Sequence, residues 1–206
     1  MRRSIVFGLL CVVVSAHAAP EGETSLSRFF GQVQTYTAKF EQEVLDEGMN
    51  IIEESQGTMW ISRPGKFRWD YQPPLEQKII SNGTKVWVHD VELEQVTIRP
   101  LGDTIGRTPA NILAGKGELS KGYNIKDMGA KGGYFWVRLK PKDKEASFEN
   151  IFIGFKEKRL RIMELIDGLG QTTRIQFKNE QENLTIADKH FNFVPPANVD
   201  IIDETL

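Results

Sequence analysis

The chain has 206 residues, of which 26 are Lys or Arg and 28 are Asp or Glu, so its formal net charge is −2. This balance gives no electrostatic reason to expect binding to nucleic acid or to an anionic membrane surface. The sequence contains a single cysteine, Cys11, which excludes an internal disulfide and a metal site built on several thiolates.

The first 18 residues have the pattern of a secretory signal peptide. Arg2 and Arg3 precede an apolar stretch over residues 5–14, and an Ala-His-Ala triplet ends at Ala18. The apolar stretch is shorter than the roughly 20 residues that span a bilayer. We therefore expect export and cleavage after Ala18. The remainder, residues 19–206, is expected to form one periplasmic domain.

An amphipathic helix is predicted next, because apolar residues recur with helical spacing at Leu26, Phe29, Phe30 and Val33. Thr24 or Ser25 is available as its N-cap. From Tyr36 onward the apolar period changes from 3.6 to two, which is typical of half-buried strands.

Period-two alternation and turn signals predict about ten short strands, ending near Phe177. Asn82-Gly83 is a strong hairpin signal, and the glycine-rich residues 129–133 are expected to form another hairpin turn. Thr108-Pro109 predicts the start of a short helix that interrupts the strands. The pattern indicates a mainly β (α+β) protein with a strongly curved antiparallel sheet or an open barrel.

No catalytic or metal-binding motif is recognisable. His89 and His190 lie far apart, without metal-ligand spacing around either one. The nucleophile elbow, the P-loop and the zinc-protease helix motif do not occur. We therefore expect no enzymatic activity, no catalytic residue, no metal and no cofactor.

Aromatic residues are concentrated in the predicted strands. Ordinary core packing explains such residues in most proteins. However, one helix and one short helix are little cover for so large a sheet, and a sheet that closes imperfectly leaves an apolar cavity for hydrophobic ligands. The candidate cavity residues on the strands are Trp60, Phe67, Trp69, Tyr71 and Trp87.

Several sequence blocks resemble the periplasmic outer-membrane lipoprotein carrier family (LolA). They occur in the same order over nearly the whole chain after Ala18 and are specific in combination. The blocks are Gly57 to Tyr71, Ser81-Asn82-Gly83 leading to Trp87, Leu93 to Thr97, Thr108-Pro109, Asp167 to Thr172, and Phe193-Val194-Pro195-Pro196.

The resemblance implies an unclosed antiparallel barrel of about eleven strands, covered by an N-terminal helix and a short pair of lid helices. It also implies a function: a monomeric carrier that takes lipoproteins with an acylated N-terminal cysteine from an inner-membrane ABC exporter to an outer-membrane receptor. Phe67 and Trp69 match cavity positions of the family, and Ile112 and Leu113 match its lid. Arg63 matches an arginine that holds the lid closed through hydrogen bonds to backbone carbonyls.

Three other functions remain possible at this point. A periplasmic lipid-sensing or regulatory domain on the same scaffold would usually carry a second domain, for which residues 19–206 leave no room. The lipoprotein receptor should carry a lipidated N-terminal cysteine, and Leu10 before Cys11 does not suit lipidation. A hydrolase of lipids or glycans would need a nucleophile or a carboxylate pair in the cavity.

Overall fold

The computed structural model describes residues 20–104, 108–115 and 119–205. The predicted signal peptide, residues 1–18, lies outside the described residues. None of the helices in the described part of the chain is both long enough and apolar enough to cross a membrane.

Within these residues, twelve strands form one sheet. In chain order they are β1 Thr35–Leu45, β2 Ile51–Ser62, β3 Lys66–Tyr71, β4 Gln77–Asn82, β5 Lys85–Asp90, β6 Gln95–Pro100, β7 Tyr123–Lys131, β8 Tyr134–Pro141, β9 Phe148–Lys156, β10 Arg159–Asp167, β11 Thr172–Glu182 and β12 Asp200–Asp203. The helices are α1 Glu21–Gln32, α2 Pro109–Ala114 and α3 Leu119–Gly122, with 3₁₀ turns at Leu101–Thr104 and Asp188–Phe191.

The sheet is long, mostly antiparallel and unclosed. Its strand order is β12-β6-β5-β4-β3-β2-β1-β11-β10-β9-β8-β7, so β12 and β7 form its two edges. Only the pairing of β12 with β6 is parallel among the pairings described. The predicted fold class is therefore confirmed, and the twelfth strand, formed by a short apolar tail, is an addition to the predicted number.

The N-terminal helix begins earlier than the sequence suggested. α1 starts at Glu21 after Pro20, whereas Thr24 and Ser25 lie inside its first turns. Their hydroxyls donate to the carbonyls of Pro20 and Glu21, at 3.1 and 2.8 Å. The predicted N-cap is thus wrong, because these hydroxyls bond back along the helix rather than cap it.

The two hairpin predictions are confirmed. Asn82 ends β4, and its side-chain oxygen accepts hydrogen bonds from the backbone N–H groups of Thr84 and Lys85, at 2.9 and 3.0 Å. Gly83 has φ +91°, which glycine adopts without strain. Gly132 and Gly133, also with positive φ, connect β7 to β8.

One face of the sheet, called here the helix-covered face, packs against α1 and α2. α1 contacts β7 to β10, and α2 contacts β2 and β3. The side chains between them form one apolar cluster, which includes Phe29, Phe30, Phe67, Leu113 and Leu139. The two halves of the sheet are therefore covered by different helices.

The opposite face, called here the outer face, is partly covered by the C-terminal segment, residues 184–205. Phe191 is 1% exposed, and its 3₁₀ turn contacts β3 and β4. The ring of His190 lies 4.5 Å from that of Trp60, and the ring of Phe193 lies 5.4 Å from that of His89. The segment then ends as β12 against β6, so it crosses this half of the sheet.

We predict that Gly57→Ala destabilises the fold by about 1–3 kcal/mol, the usual range for overpacking. A Cβ at Gly57 would lie 2.0 Å from the carbonyl oxygen of Asp70 and 2.7 Å from the ring of Phe40. Gly31→Ala is the control, since a Cβ there meets nothing within 4 Å and alanine favours the helix. Urea denaturation measures both, and equal stability of the two variants would contradict the packing.

We also predict that stability falls as the pH drops below about 6.5, the ordinary pKa of histidine. Burial lowers the pKa of His89, assisted by Lys78 and opposed by Asp90 and Glu76. Burial likewise lowers the pKa of His190, assisted by Arg68 and opposed by Asp70. The folded state therefore disfavours protonation of both rings.

The measurement is the melting temperature between pH 7.5 and 5.5 for the wild type and for a variant with His89→Gln and His190→Gln. The wild type should lose more stability over this interval than the variant. Parallel curves would show that the two rings titrate freely in the folded protein.

Candidate binding site between the sheet and the helices

The candidate site is the apolar layer between the helix-covered face and the two helices, called here the chamber, whose side chains pack against one another in the structure. Phe67 and Trp69 of β3 point into it and are 0% and 1% exposed. Across the β2–β3 pair they lie beside Ile61 and Met59, which are also fully buried. Tyr71, further along the same face, is half-buried. These side chains give the chamber an aromatic and aliphatic wall.

Phe40 of β1 packs into the middle of this wall. Its ring centroid lies 5.1 Å from that of Trp69 and 5.0 Å from that of Tyr71. The hydroxyl of Tyr71 donates to the side-chain oxygen of Gln42 at 3.1 Å, and burial raises the pKa of Tyr71 well above its ordinary value. The indole Nε1 of Trp69, by contrast, is buried without a hydrogen-bond partner.

The opposite wall is α2. Thr108 caps it by accepting a hydrogen bond from the N–H of Asn111 at 3.3 Å, and Pro109 occupies its first turn, as predicted from the sequence. Ile112 and Leu113 are 3% and 0% exposed and belong to the same apolar cluster as Phe67 and Trp69. α2 has only six residues and is short enough that its stability depends on this packing.

Arg63 connects the two helices. Its guanidinium donates one hydrogen bond to the carbonyl of Val33, at the end of α1, and another to the carbonyl of Leu113 in α2 at 2.7 Å. It also lies over the rings of Phe29 and Phe30, 4.6 and 5.2 Å from their centroids. The backbone N–H of nearby Gly65 donates to the carbonyl of Ala114 at 3.0 Å.

The energies at Arg63 are closely opposed. Burial lowers its pKa to about 10, so the group stays charged at neutral pH. Taking a charge out of water costs several kcal/mol, whereas its hydrogen bonds return roughly 1.5–3 kcal/mol each and the ring contacts about 2 kcal/mol. Its Nε has no hydrogen-bond partner. Loss of these contacts would therefore be offset in part by rehydration of the charge.

Trp60 and Trp87 were candidate cavity residues, but the structure places both on the outer face. Trp60 lies between inward-facing Met59 and Ile61, and its ring contacts His190. Trp87 is paired across the sheet with Ile80 and Ile98 rather than with residues of the chamber. Strand alternation is the reason, since neighbours along a strand point to opposite faces.

Sequence reasoning missed Met59 and Ile61 as wall residues. The signal that could have found them is the register of the β2–β3 hairpin, which aligns them with Trp69 and Phe67. No group of three or more His, Cys, Asp or Glu residues lies close enough to hold a metal ion, as far as the described residues show.

A family model described as "Outer membrane lipoprotein carrier protein LolA" matches residues 31–194. The chain belongs to this family. The resemblance expected from the sequence blocks is therefore confirmed, and the matched range includes Arg63, β1 to β11 and α2.

Curated relatives of the LolA family match almost end to end. The outer-membrane lipoprotein carrier protein of Methylococcus capsulatus is 42% identical over 203 residues, which is 98% of each chain. That of Nitrosospira multiformis is 40% identical over 191 residues, or 92% of this chain and 91% of the relative. A solved structure of an uncharacterized conserved protein from Thermus thermophilus shares the fold, with a TM-score of 0.55, 11% identity, and coverage of 89% of this chain and 95% of that one.

We predict that Arg63→Leu frees α2 without unfolding the protein. Leucine removes both hydrogen bonds but also the buried charge, so the free energy of unfolding should change by no more than about 1 kcal/mol. Amide hydrogen exchange in residues 112–114 should become at least tenfold faster. The matched control is Arg99→Leu, which breaks an exposed ion pair with Glu204. Unchanged exchange in the Arg63 variant would show that packing alone holds α2.

Proposed function

We propose that this protein carries acylated lipoproteins across the periplasm and holds their acyl chains in the chamber between the sheet and α2. It takes them from an ABC exporter of the inner membrane and delivers them to a receptor of the outer membrane. The observation that carries the proposal is the match to the carrier family over residues 31–194. The apolar walls of the chamber support it independently.

Location and organisation follow the same proposal. Residues 1–18 act as a cleaved export signal, and residues 19–206 form one carrier domain that works as a monomer in the periplasm. The task requires binding and release, so no catalytic residue or cofactor takes part.

A carrier is needed because of the size of the apolar cargo. Three acyl chains contain on the order of 40 methylene groups, each worth about 0.8 kcal/mol when removed from water, or roughly 30 kcal/mol in total. Non-covalent affinity reaches only about 18–21 kcal/mol. Transfer from a bilayer into an apolar chamber avoids the cost of exposing the acyl chains to water, because the chains exchange one apolar environment for another.

Closure of the empty chamber reduces the binding energy to a value that a receptor can overcome. In the structure, Phe67, Trp69, Ile112 and Leu113 are already buried in the same cluster. Acyl chains that enter must separate these side chains and break the hydrogen bond from Arg63 to Leu113. The energy of reclosure then favours unloading, with Arg63 as the latch of the lid.

The direct test incubates the purified protein, without residues 1–18, with spheroplasts that contain a newly made outer-membrane lipoprotein. We expect the lipoprotein to appear in the soluble fraction as a one-to-one complex. Absence of release, when an established carrier works under the same conditions, would contradict the proposal and favour a regulatory lipid-binding function.

A second experiment separates loading from unloading. We expect Arg63→Leu to load as well as the wild type but to transfer its cargo to outer membranes at least tenfold more slowly. Arg99→Leu, which removes an arginine from the protein surface, should behave as the wild type. Normal transfer by the Arg63 variant would contradict the latch.

A further inference from the structure

A groove of about 670 Å³ lies on the outer face, away from the chamber. Its apolar walls come from Met128, Tyr134, Trp136, Phe152 and Ile162. Cross-strand register places these residues together: Trp136 opposite Gly154, and Gly154 opposite Ile162. Val137 and Ile153, one residue further along β8 and β9, are fully buried on the helix-covered face. The groove is therefore separate from the proposed acyl-chain site.

Trp136 forms a fixed floor for the groove. A Cβ at Gly154 would lie 3.3 Å from two carbons of its ring, so the glycine allows the indole to lie flat against the sheet. The indole N–H donates to the carbonyl of Lys131 at 3.0 Å. The edge of Tyr134 packs against it, with ring centroids 5.8 Å apart. Because Lys131 binds its N–H group and Tyr134 packs against its ring, the indole of Trp136 is preorganised for binding.

Three cations lie on the same face of β7 and β8: Lys126, Lys131 and Arg138. Lys131 lines the groove itself, and Lys126 and Arg138 are direct register partners. None of the ion pairs found among the described residues includes any of the three. The buried Nε of Arg138 has no hydrogen-bond partner. The carboxylate of Glu164 in the groove is already bound to Arg174 at 2.7 Å.

The combination of a rigid aromatic floor and unpaired cations indicates the kind of partner. Tyr, Trp and Arg are the residues that contribute most at protein interfaces, and a cationic rim attracts an anionic partner. A membrane-binding face would instead present aromatic side chains free to insert into the headgroups. Here the indole lies flat and its N–H is occupied.

We propose that the groove binds an acidic polypeptide segment of a partner protein, with one aliphatic or aromatic side chain seated on Trp136. Acidic residues on either side of that anchor pair with Lys126, Lys131 and Arg138. The surface adds a protein contact that is independent of acyl-chain binding.

The test is a titration of the full folded protein, labelled with ¹⁵N, with the blocked peptide Asp-Glu-Leu-Glu-Asp. We expect the indole N–H signal of Trp136 to shift while those of Trp69 and Trp87 stay in place. Raising the salt from about 0.05 to about 0.5 M should weaken binding, because these charges are exposed to screening. The matched peptide Asn-Gln-Leu-Gln-Asn should bind at least tenfold more weakly.

Charge-reversed variants complete the test. Lys126→Glu together with Lys131→Glu should reduce affinity for the acidic peptide at least tenfold, whereas Lys144→Glu together with Lys158→Glu should leave it unchanged. Equal binding of the two peptides, or no effect of the first pair, would overturn the proposal. So would binding confined to vesicles containing phosphatidylglycerol, or a groove occupied by a second copy of the chain at concentrations where the protein dimerises.

Discussion

The guanidinium of Arg63 links two helices that otherwise cover different halves of the sheet. It binds the carbonyl of Val33 after α1 and that of Leu113 in α2, at ends where helical carbonyls lack partners within the helix. α1 packs on β7 to β10, and α2 packs on β2 and β3. The side chain of Arg63 therefore connects the two helices that together cover the chamber. The contact between the two helices thus places a charge in an apolar site.

In the proposed function, that placement allows the chamber to close and to open. A purely apolar contact would gain energy from every buried methylene, and separating the walls would then be costly. A buried cation offsets part of that gain through its desolvation. The short helix α2 adds to the effect, because its six residues have little stability of their own. In the proposed carrier function, this balance permits both loading and unloading.

The two faces of the sheet are covered differently. The helix-covered face carries one apolar cluster, whereas the outer face is divided between the C-terminal segment over β3 and β4 and the open groove over β7 to β11. Antiparallel sheets commonly have one apolar face and one solvated face, whereas this sheet buries apolar side chains on both. Trp60, Trp87 and Trp136 all lie on this outer face.

Much of the architecture was predictable from local patterns. Period-two alternation located the strands, Asn82-Gly83 and Gly132-Gly133 located two hairpins, and Thr108-Pro109 located α2, because each depends on neighbouring residues alone. The resemblance in the blocks from Gly57 to Pro196 led to the family, and it also pointed to Arg63.

The face that each strand presents to the chamber could not be predicted in this way. Met59, Trp60 and Ile61 are all apolar, so their order along the chain does not say which of them points inward; pairing with Phe67 and Trp69 selects Met59 and Ile61. The same holds for Trp87, because its neighbours Val86 and Val88 are also apolar and the sequence does not say which of the three points inward. Local pattern was sufficient for most of the elements, for the family and for the choice of Arg63 as a candidate, since each depends on residues close together in the chain. The lining of the chamber, the position of β12 and the cationic groove depend on contacts between residues far apart in the chain, so they became visible only in the folded protein.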